Sequence, residues 1–223
     1  METLIDLEKS LEQFRQEKDW LNEALTLIKI GEYFLGQRKW PRAASSFKKS
    51  FEIFEQNNQI TEQAQTLSYL GLVSWEQAQV QKAIDSFKLS LKIINDINDV
   101  NGRKIVEAIL GLSLWRKGDW TEALAILKDV LPINISSIPD SYKVLHQAIE
   151  KAVIQIQNRI PAAQMNNNPL RIMQGHFTLA PLCFYMGNKE EAKNHLLEAE
   201  SLAKTLNDVK VLNTIPRLQE LIG

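Results

Sequence analysis

The chain has 223 residues, with 26 basic and 27 acidic side chains, a formal net charge of −1 and 44% hydrophobic residues. This balance is ordinary for a folded globular protein. It suggests neither an acidic disordered chain nor a nucleic-acid-binding protein, whose surface carries clustered basic residues. The only cysteine, Cys183, cannot form an intrachain disulfide, and no stretch approaches the roughly 18 apolar residues of a membrane span. The acidic start does not have the form of a signal peptide. We therefore expect a soluble, cytoplasmic protein.

Residues 1–20 carry a single apolar stripe at helical spacing, formed by Leu4, Leu7, Leu11 and Phe14. Such a stripe predicts one amphipathic helix. We expect this leading helix to cap the exposed end of the segment that follows.

Residues 24–131 contain three copies of one pattern, aligned without gaps and 40 residues apart. Each copy has a small residue, a second small residue and then a bulky one: Gly31, Ala43 and Phe47; Gly71, Ala83 and Phe87; Gly111, Ala123 and Leu127. Small residues let two helices approach closely, and a bulky residue one turn further along fills the seam between them. Pro41 suits the first turn of a helix, and Gly118 suits a tight turn between paired helices. The pattern predicts three helix pairs.

This pattern resembles the tetratricopeptide repeat family. The matching features are the Ile-Gly or Leu-Gly pair of each copy, the Gly118 turn, the Ala-x-x-x-Phe run, and the aromatic residues Trp40 and Trp120. The family period is usually 34 residues, so this is the longer variety, similar to the repeats of kinesin light chains and of bacterial peptide-sensing regulators. The resemblance implies an all-α fold: a right-handed α-solenoid of antiparallel helix pairs with helical caps, in a single domain over 1–223.

The rest of the chain is less regular. Residues 132–172 interrupt the repeats with an apolar stripe that predicts one long amphipathic helix over 139–160, its members being Tyr142, Leu145, Ile149, Val153 and Ile156. Residues 173–206 form a looser fourth copy, in which Ala180 takes the glycine place and Gly187 the turn. Residues 207–223 predict a closing cap helix.

Residues able to support chemistry are few. The three histidines, His146, His176 and His195, include no pair at the i, i+4 spacing of a helical metal site, and one cysteine cannot build a zinc cluster. His176 and Cys183 lie two turns apart on one predicted helix, on the order of 10 Å, which is too far for a nucleophile and its base. We expect no catalytic residues, no metal site and no cofactor, and hence a protein that is not an enzyme.

In the family that the sequence resembles, the first helix of each pair lines a concave protein-binding groove. Carried over place by place, the groove residues would be Leu25, Ile28, Glu32 and Leu35; Gln65, Ser68, Leu72 and Trp75; Ile105, Ala108, Leu112 and Trp115; and Gln174, Phe177, Pro181 and Phe184. Family members that bind the carboxylate of chaperone tails use lysine and asparagine on this face. Those residue types are missing here, which argues against a chaperone-tail adaptor.

One place of the groove is apolar in all four copies, where Leu35, Trp75, Trp115 and Phe184 form what we call the aromatic column. The column either lies open for binding or is buried in the protein's own core, and the sequence leaves both alternatives open. An open column predicts an interaction scaffold or assembly factor that binds an apolar helix or peptide of a client protein. The alternatives are a peptide-sensing regulatory module, and a self-assembling structural protein with the column as its dimer interface. We expect a protein or peptide partner and no nucleic acid.

Overall fold

The structure is a computed structural model that describes residues 2–97 and 99–223, apart from the side chain of Ile135. Within these residues it is all-α and contains no strand, which confirms the predicted fold class. The helices are α1 Leu4–Glu17, α2 Trp20–Gly36, α3 Trp40–Gln56, α4 Ile60–Glu76, α5 Val80–Ile97, α6 Val100–Lys117, α7 Trp120–Val130, α8 Lys143–Gln157, α9 Arg159–Met165, α10 Pro169–Tyr185, α11 Lys189–Leu206 and α12 Val209–Ile222. Two short 3-10 turns, Ile135–Ser137 and Asp140–Tyr142, lie between α7 and α8.

The chain divides into two compact units, residues 1–106 and 107–223. Unit 1 contains α1 to α5, and unit 2 contains α7 to α12. The boundary falls within α6.

In unit 1, the small residues of the repeat pattern lie in the seams between helices, as predicted. A Cβ added to Gly31 would lie 2.5 Å from the ring of Phe47, and one added to Gly71 would lie 2.7 Å from the ring of Phe87. Ala43 and the two phenylalanines are fully buried. Each glycine therefore leaves the space that the phenylalanine of the second helix fills.

A buried serine also repeats in both helix pairs of unit 1. The hydroxyl of Ser50 donates to the carbonyl of Ala24 at 2.9 Å, and that of Ser90 donates to the carbonyl of Ala64 at 2.7 Å. Both bonds cross from the second helix of a pair to the first. Each bond provides a buried hydroxyl with the hydrogen-bond acceptor that it needs away from water, and it fixes the register of the two helices in the pair.

Unit 2 repeats the seam twice. A Cβ added to Gly111 would lie 2.7 Å from the side chain of Leu127. In the fourth copy, α10 packs against α11, and Ala180 and Ala192 are both fully buried there. In this copy alanine replaces the glycine and adds a single methyl group to the contact between the two helices.

The stretch between α7 and α10 differs from the single helix predicted over 139–160. The Asp140–Tyr142 turn precedes α8, which begins only at Lys143 and ends at Gln157. A separate short helix, α9, follows and includes Pro161. Proline suits the first turn of a new helix because its missing N–H needs no partner there. The predicted helix therefore starts later than expected, and the chain continues as a second helix beyond its predicted end.

At the C-terminus, α12 packs against both α11 and α7. The ammonium group of Lys210 lies 4.3 Å from the ring centroid of Trp120 and donates to the carbonyl of Gly118 at 3.1 Å. This closing helix therefore also covers the turn between α6 and α7. None of the helices in the described part of the chain combines the length and the apolar character needed to cross a lipid bilayer.

Candidate functional site

Most of the predicted groove residues are buried in the structure. The buried ones are Ile28, Leu35, Ser68, Leu72, Trp75, Ile105, Ala108, Leu112, Trp115, Phe177, Pro181 and Phe184. Within the aromatic column, Trp75 is 5% exposed and Trp115 is 3% exposed. Of the two alternatives that the sequence left open, this burial favours the core, because a client cannot reach these rings without moving the residues that cover them.

Trp115 shows what covers the column in unit 2. Its ring centroid lies 4.8 Å from that of Phe177 on α10 and 6.0 Å from that of Trp120 on α7. Phe177 in turn contacts Trp120 edge to face, at 4.9 Å between centroids. The three rings form one aromatic cluster that joins three helices of the protein itself.

Some predicted residues do reach solvent. Leu25 is 40% exposed, Gln174 is exposed, and Glu32 and Gln65 are half-buried. In unit 1, the amide nitrogen of Gln65 donates to the hydroxyl of Tyr69 at 3.1 Å. Burial raises the pKa of Glu32, while a hydrogen bond with Tyr69 acts in the opposite direction. The hydrogen bond between Glu32 and Tyr69 links α2 to α4, and the bond from Gln65 to Tyr69 lies within α4.

The accessible Gln174 belongs to an open pocket in unit 2, of about 500 Å³, between α8, α9 and α10. We call it the α8–α10 pocket. Its lining residues are Ile156, Arg159, Ile160, Ala162, Ala163, Asn166, Asn168, Arg171, Gln174, Gly175 and Thr178. None of these side chains is acidic. The volume is within the usual range for sites that bind small molecules or short peptide segments.

The polar groups of the α8–α10 pocket fall into two sets. Asn166, Asn168 and Thr178 already hydrogen-bond backbone groups of their own segment: Asn166 donates to Ala162 O, Asn168 accepts from Arg171 N–H, and Thr178 donates to Gln174 O. By contrast, the exposed side chains of Arg159, Arg171 and Gln174 have no hydrogen-bond or ion-pair partner within the described part of the chain. Two guanidinium groups and one amide are therefore free to bind a ligand.

Local sequence explains how the pocket forms. Pro161 starts a new turn after α8, and Asn168 caps α10 by accepting from the backbone N–H of Arg171 at 3.0 Å. The short helix between them, α9, packs against α10, and Ile160 lies against Gly175. A Cβ at Gly175 would lie 3.0 Å from Ile160, so this glycine allows the close approach.

Of the three pocket residues Arg159, Arg171 and Gln174, only Gln174 belongs to the residues predicted from the sequence. The single helix predicted over 139–160 placed Arg159 at a helix end and left residues 161–168 as a loop, without the short helix α9 that forms one side of the pocket. The available signals were Pro161 and the run Asn166-Asn167-Asn168, which together mark a short element that returns to α10.

The 40-residue helix pairs and their small-residue seams agree with the all-α fold that the resemblance to tetratricopeptide repeats implied. The sequence matches no family model and no curated protein. The chain is similar to the solved structure of the Rap conjugation gene regulator of the plasmid pLS20 in complex with the Phr* peptide, at 17% identity and a TM-score of 0.48, covering 91% of this chain and 59% of that one.

Two further structures show a similar likeness. BtubC (BKLC) from P. vanneervenii has 15% identity and a TM-score of 0.48, covering 91% of this chain and 90% of that one. A putative kinesin light chain from Podosopora anserina, with nearly identical TPR-like repeats, has 14% identity and a TM-score of 0.45, covering 81% and 95%. Likenesses this loose identify no partner for the chain.

Proposed function

We propose that this protein is an interaction scaffold that binds a short, carboxylate-bearing peptide segment of a partner protein in the α8–α10 pocket. The observation that carries the proposal is the pair of unpaired arginines, Arg159 and Arg171, in a pocket without any acidic side chain. Guanidinium groups bind carboxylates through paired N–H donors, and such charge-assisted bonds are stronger than neutral ones.

The remaining lining suits a peptide rather than a bare anion. The amide of Gln174 offers both a donor and an acceptor, which matches the N–H and C=O groups of a peptide backbone. Ile156, Ile160 and Ala163 supply apolar surface for a side chain of the bound segment. Among the side chains that line the pocket there is no histidine, cysteine, lysine or carboxylate to act as a general base or nucleophile. This composition supports binding without catalysis.

The proposal changes the client expected from the sequence. An open column predicts a client with an apolar helix or peptide segment, and the burial of Trp75 and Trp115 leaves that client no accessible tryptophan rings to contact in this conformation. The same burial leaves little column area for a homodimer, so self-assembly through the column stays a prediction without structural support. Of the alternatives, a peptide-sensing module would use the same kind of pocket.

Selection of a displayed random-peptide library on the immobilised protein tests the proposal. We expect enrichment of sequences with aspartate, glutamate or a free C-terminal carboxylate. The enrichment should disappear with the double variant Arg159→Ala/Arg171→Ala. The matched control, Lys48→Ala/Lys49→Ala, removes the same charge from the exposed face of α3 and should select the same peptides as the wild type. Enrichment of purely apolar peptides, or of the same peptides by the double arginine variant, would overturn the proposal.

A further inference from the structure

A second cluster of reactive side chains lies between α10 and α11, outside the α8–α10 pocket. Cys183 projects from α10, and Glu191 and His195 project from α11, one turn apart. We propose that Cys183, Glu191 and His195 form a binding site for a zinc-class divalent ion. The site is independent of the proposed peptide binding and would join the two helices of the fourth repeat.

The geometry of the three ligand atoms supports the proposal. The Cys183 sulfur, a Glu191 carboxylate oxygen and a ring nitrogen of His195 all lie within 4.8 Å of one another. His195 Nε2 is already 3.7 Å from Glu191 Oε1. Tetrahedral zinc with typical Zn–S and Zn–N bonds needs ligand atoms on the order of 3.5 Å apart. Movements of about 1 Å at the ends of these side chains would therefore bring the three ligand atoms to the separations that zinc requires.

The unsatisfied nitrogen of His195 is the second, independent observation. His195 Nε2 is buried and has no hydrogen-bond partner in the part of the molecule that the structure describes. The other ring nitrogen, Nδ1, is 2.9 Å from Nδ1 of His176. When His195 donates through Nδ1, its Nε2 carries a lone pair that can bind a metal. Histidine ligands in metal sites usually make such a second hydrogen bond, which fixes the tautomer and the ring orientation.

The carboxylate of Glu191 is also held in place. Gln157 Nε2 donates to Glu191 Oε1 at 2.9 Å, and Asn188 Nδ2 donates to Oε2 at 3.3 Å. The Glu191 side chain is 41% exposed, so an ion can enter from solvent on this side. Cys183 is 1% exposed and forms the inner wall. Three protein ligands with one open side leave a fourth position for water.

The burial of Cys183 argues against a different role for this residue, that of a nucleophile. Burial raises the pKa of Cys183 to about 12, so the free thiol stays protonated at neutral pH and is unreactive.

On zinc binding, the S–H bond of Cys183 breaks, a Zn–S bond forms and one proton passes to the solvent, with no change of oxidation state. The three ligands are a thiolate sulfur, an imidazole nitrogen and a carboxylate oxygen, which together can form part of a tetrahedral site. This ligand set favours zinc over calcium or magnesium, which prefer oxygen ligands alone.

Cobalt titration of the full chain tests the site, after metal ions have been stripped with a chelator. We expect one Co²⁺ per chain, with thiolate-to-cobalt charge-transfer absorption and the intense visible bands of tetrahedral coordination. Zn²⁺ should displace the cobalt and raise the melting temperature of the protein. Cys183→Ser should remove the charge-transfer absorption. His176→Gln, which alters only the supporting hydrogen bond, should weaken binding by about tenfold.

His146 provides a matched control. It also lies one turn from a glutamate on a helix, with its Nε2 3.4 Å from Glu150, and it hydrogen-bonds Tyr185 at 2.9 Å, but it has no cysteine in its cluster. His146→Gln should therefore leave metal binding unchanged. Circular dichroism checks that each variant is folded, and Glu191→Gln carries the test if Cys183→Ser does not fold. The absence of saturable binding, a cobalt spectrum without the thiolate absorption, or equal affinity for wild type and Glu191→Gln would overturn the proposal.

Discussion

At the scale of single residues, the packing of the helix pairs depends on glycines as much as on the bulky residues that face them. Gly31, Gly71 and Gly111 leave the volume that Phe47, Phe87 and Leu127 occupy, and any Cβ at these positions would overlap a ring or a branched side chain. Interiors are packed as densely as organic crystals, so even one added methyl group has a cost. The repeat therefore specifies its helix pairs by complementary shape.

Replacing Gly71 with alanine tests this seam. The added Cβ would lie 2.7 Å from Phe87, and we expect the free energy of unfolding to fall by about 1–3 kcal/mol because the seam is overpacked. Gly36→Ala is the control, since a Cβ there would meet nothing within 4 Å. It should leave stability unchanged or raise it by up to about 1 kcal/mol. Urea unfolding measures both variants, and equal stabilities would mean that the seam is wrongly placed.

Trp115 decides between core and site for the aromatic column. Because its ring packs on Phe177 and Trp120, Trp115→Ala should lower the free energy of unfolding by about 3–5 kcal/mol. Trp20→Ala, at an exposed tryptophan, should cost less than half as much. Thermal melts followed by circular dichroism compare the two. A folded Trp115→Ala variant with wild-type stability would restore the open-groove interpretation.

At the scale of elements, the turns between paired helices repeat as faithfully as the helices. Arg38, Ala78 and Gly118 occupy the same place, 40 residues apart, and all three have a left-handed backbone, with φ of 55°, 58° and 94°. Only glycine adopts this region without cost, and other residues pay roughly 1–2 kcal/mol. The first two turns are therefore strained, and the third is relaxed.

Exchanging residues at this turn should give effects of opposite sign. Ala78→Gly relieves the left-handed strain and, after the extra freedom of the unfolded chain is subtracted, should stabilise the protein by about 0.5–1 kcal/mol. Gly118→Ala should destabilise it by about 1–2 kcal/mol. Differential scanning calorimetry measures both shifts. A destabilising Ala78→Gly would show that the conformation of this turn is not the one described.

The elements also show what the sequence could predict. Helix periods and seams follow from local rules, so Gly31, Ala43 and Phe47 were enough to predict the first pair. The α8–α10 pocket and the Cys183–Glu191–His195 cluster depend on which side chains neighbouring helices bring together. Spacing along one helix does not contain that information, and the lack of histidine pairs at i, i+4 spacing gives no hint of a glutamate and a histidine on α11 that meet a cysteine from the preceding helix, α10. Burial of the aromatic column likewise depends on tertiary packing.

At the scale of the whole molecule, the regular repeats and the proposed binding sites occupy different parts of the chain. The three regular copies end at residue 131, whereas Arg159, Arg171 and the proposed zinc ligands lie beyond it, in the interrupting segment and the looser fourth copy. Loops and irregular segments on a rigid helical scaffold are where binding sites commonly form.

The most direct test of the central claim is the affinity of the full chain for a fluorescent peptide of alternating glutamate and alanine, measured by anisotropy. We predict saturable binding that weakens with added salt, and at least about a tenfold loss of affinity for Arg159→Ala/Arg171→Ala, since the charge-assisted bonds are worth about 1.5–3 kcal/mol each. Lys48→Ala/Lys49→Ala should bind as the wild type does. Equal affinities for the wild type and the arginine variant, or for the same peptide with glutamine in place of glutamate, would contradict the account.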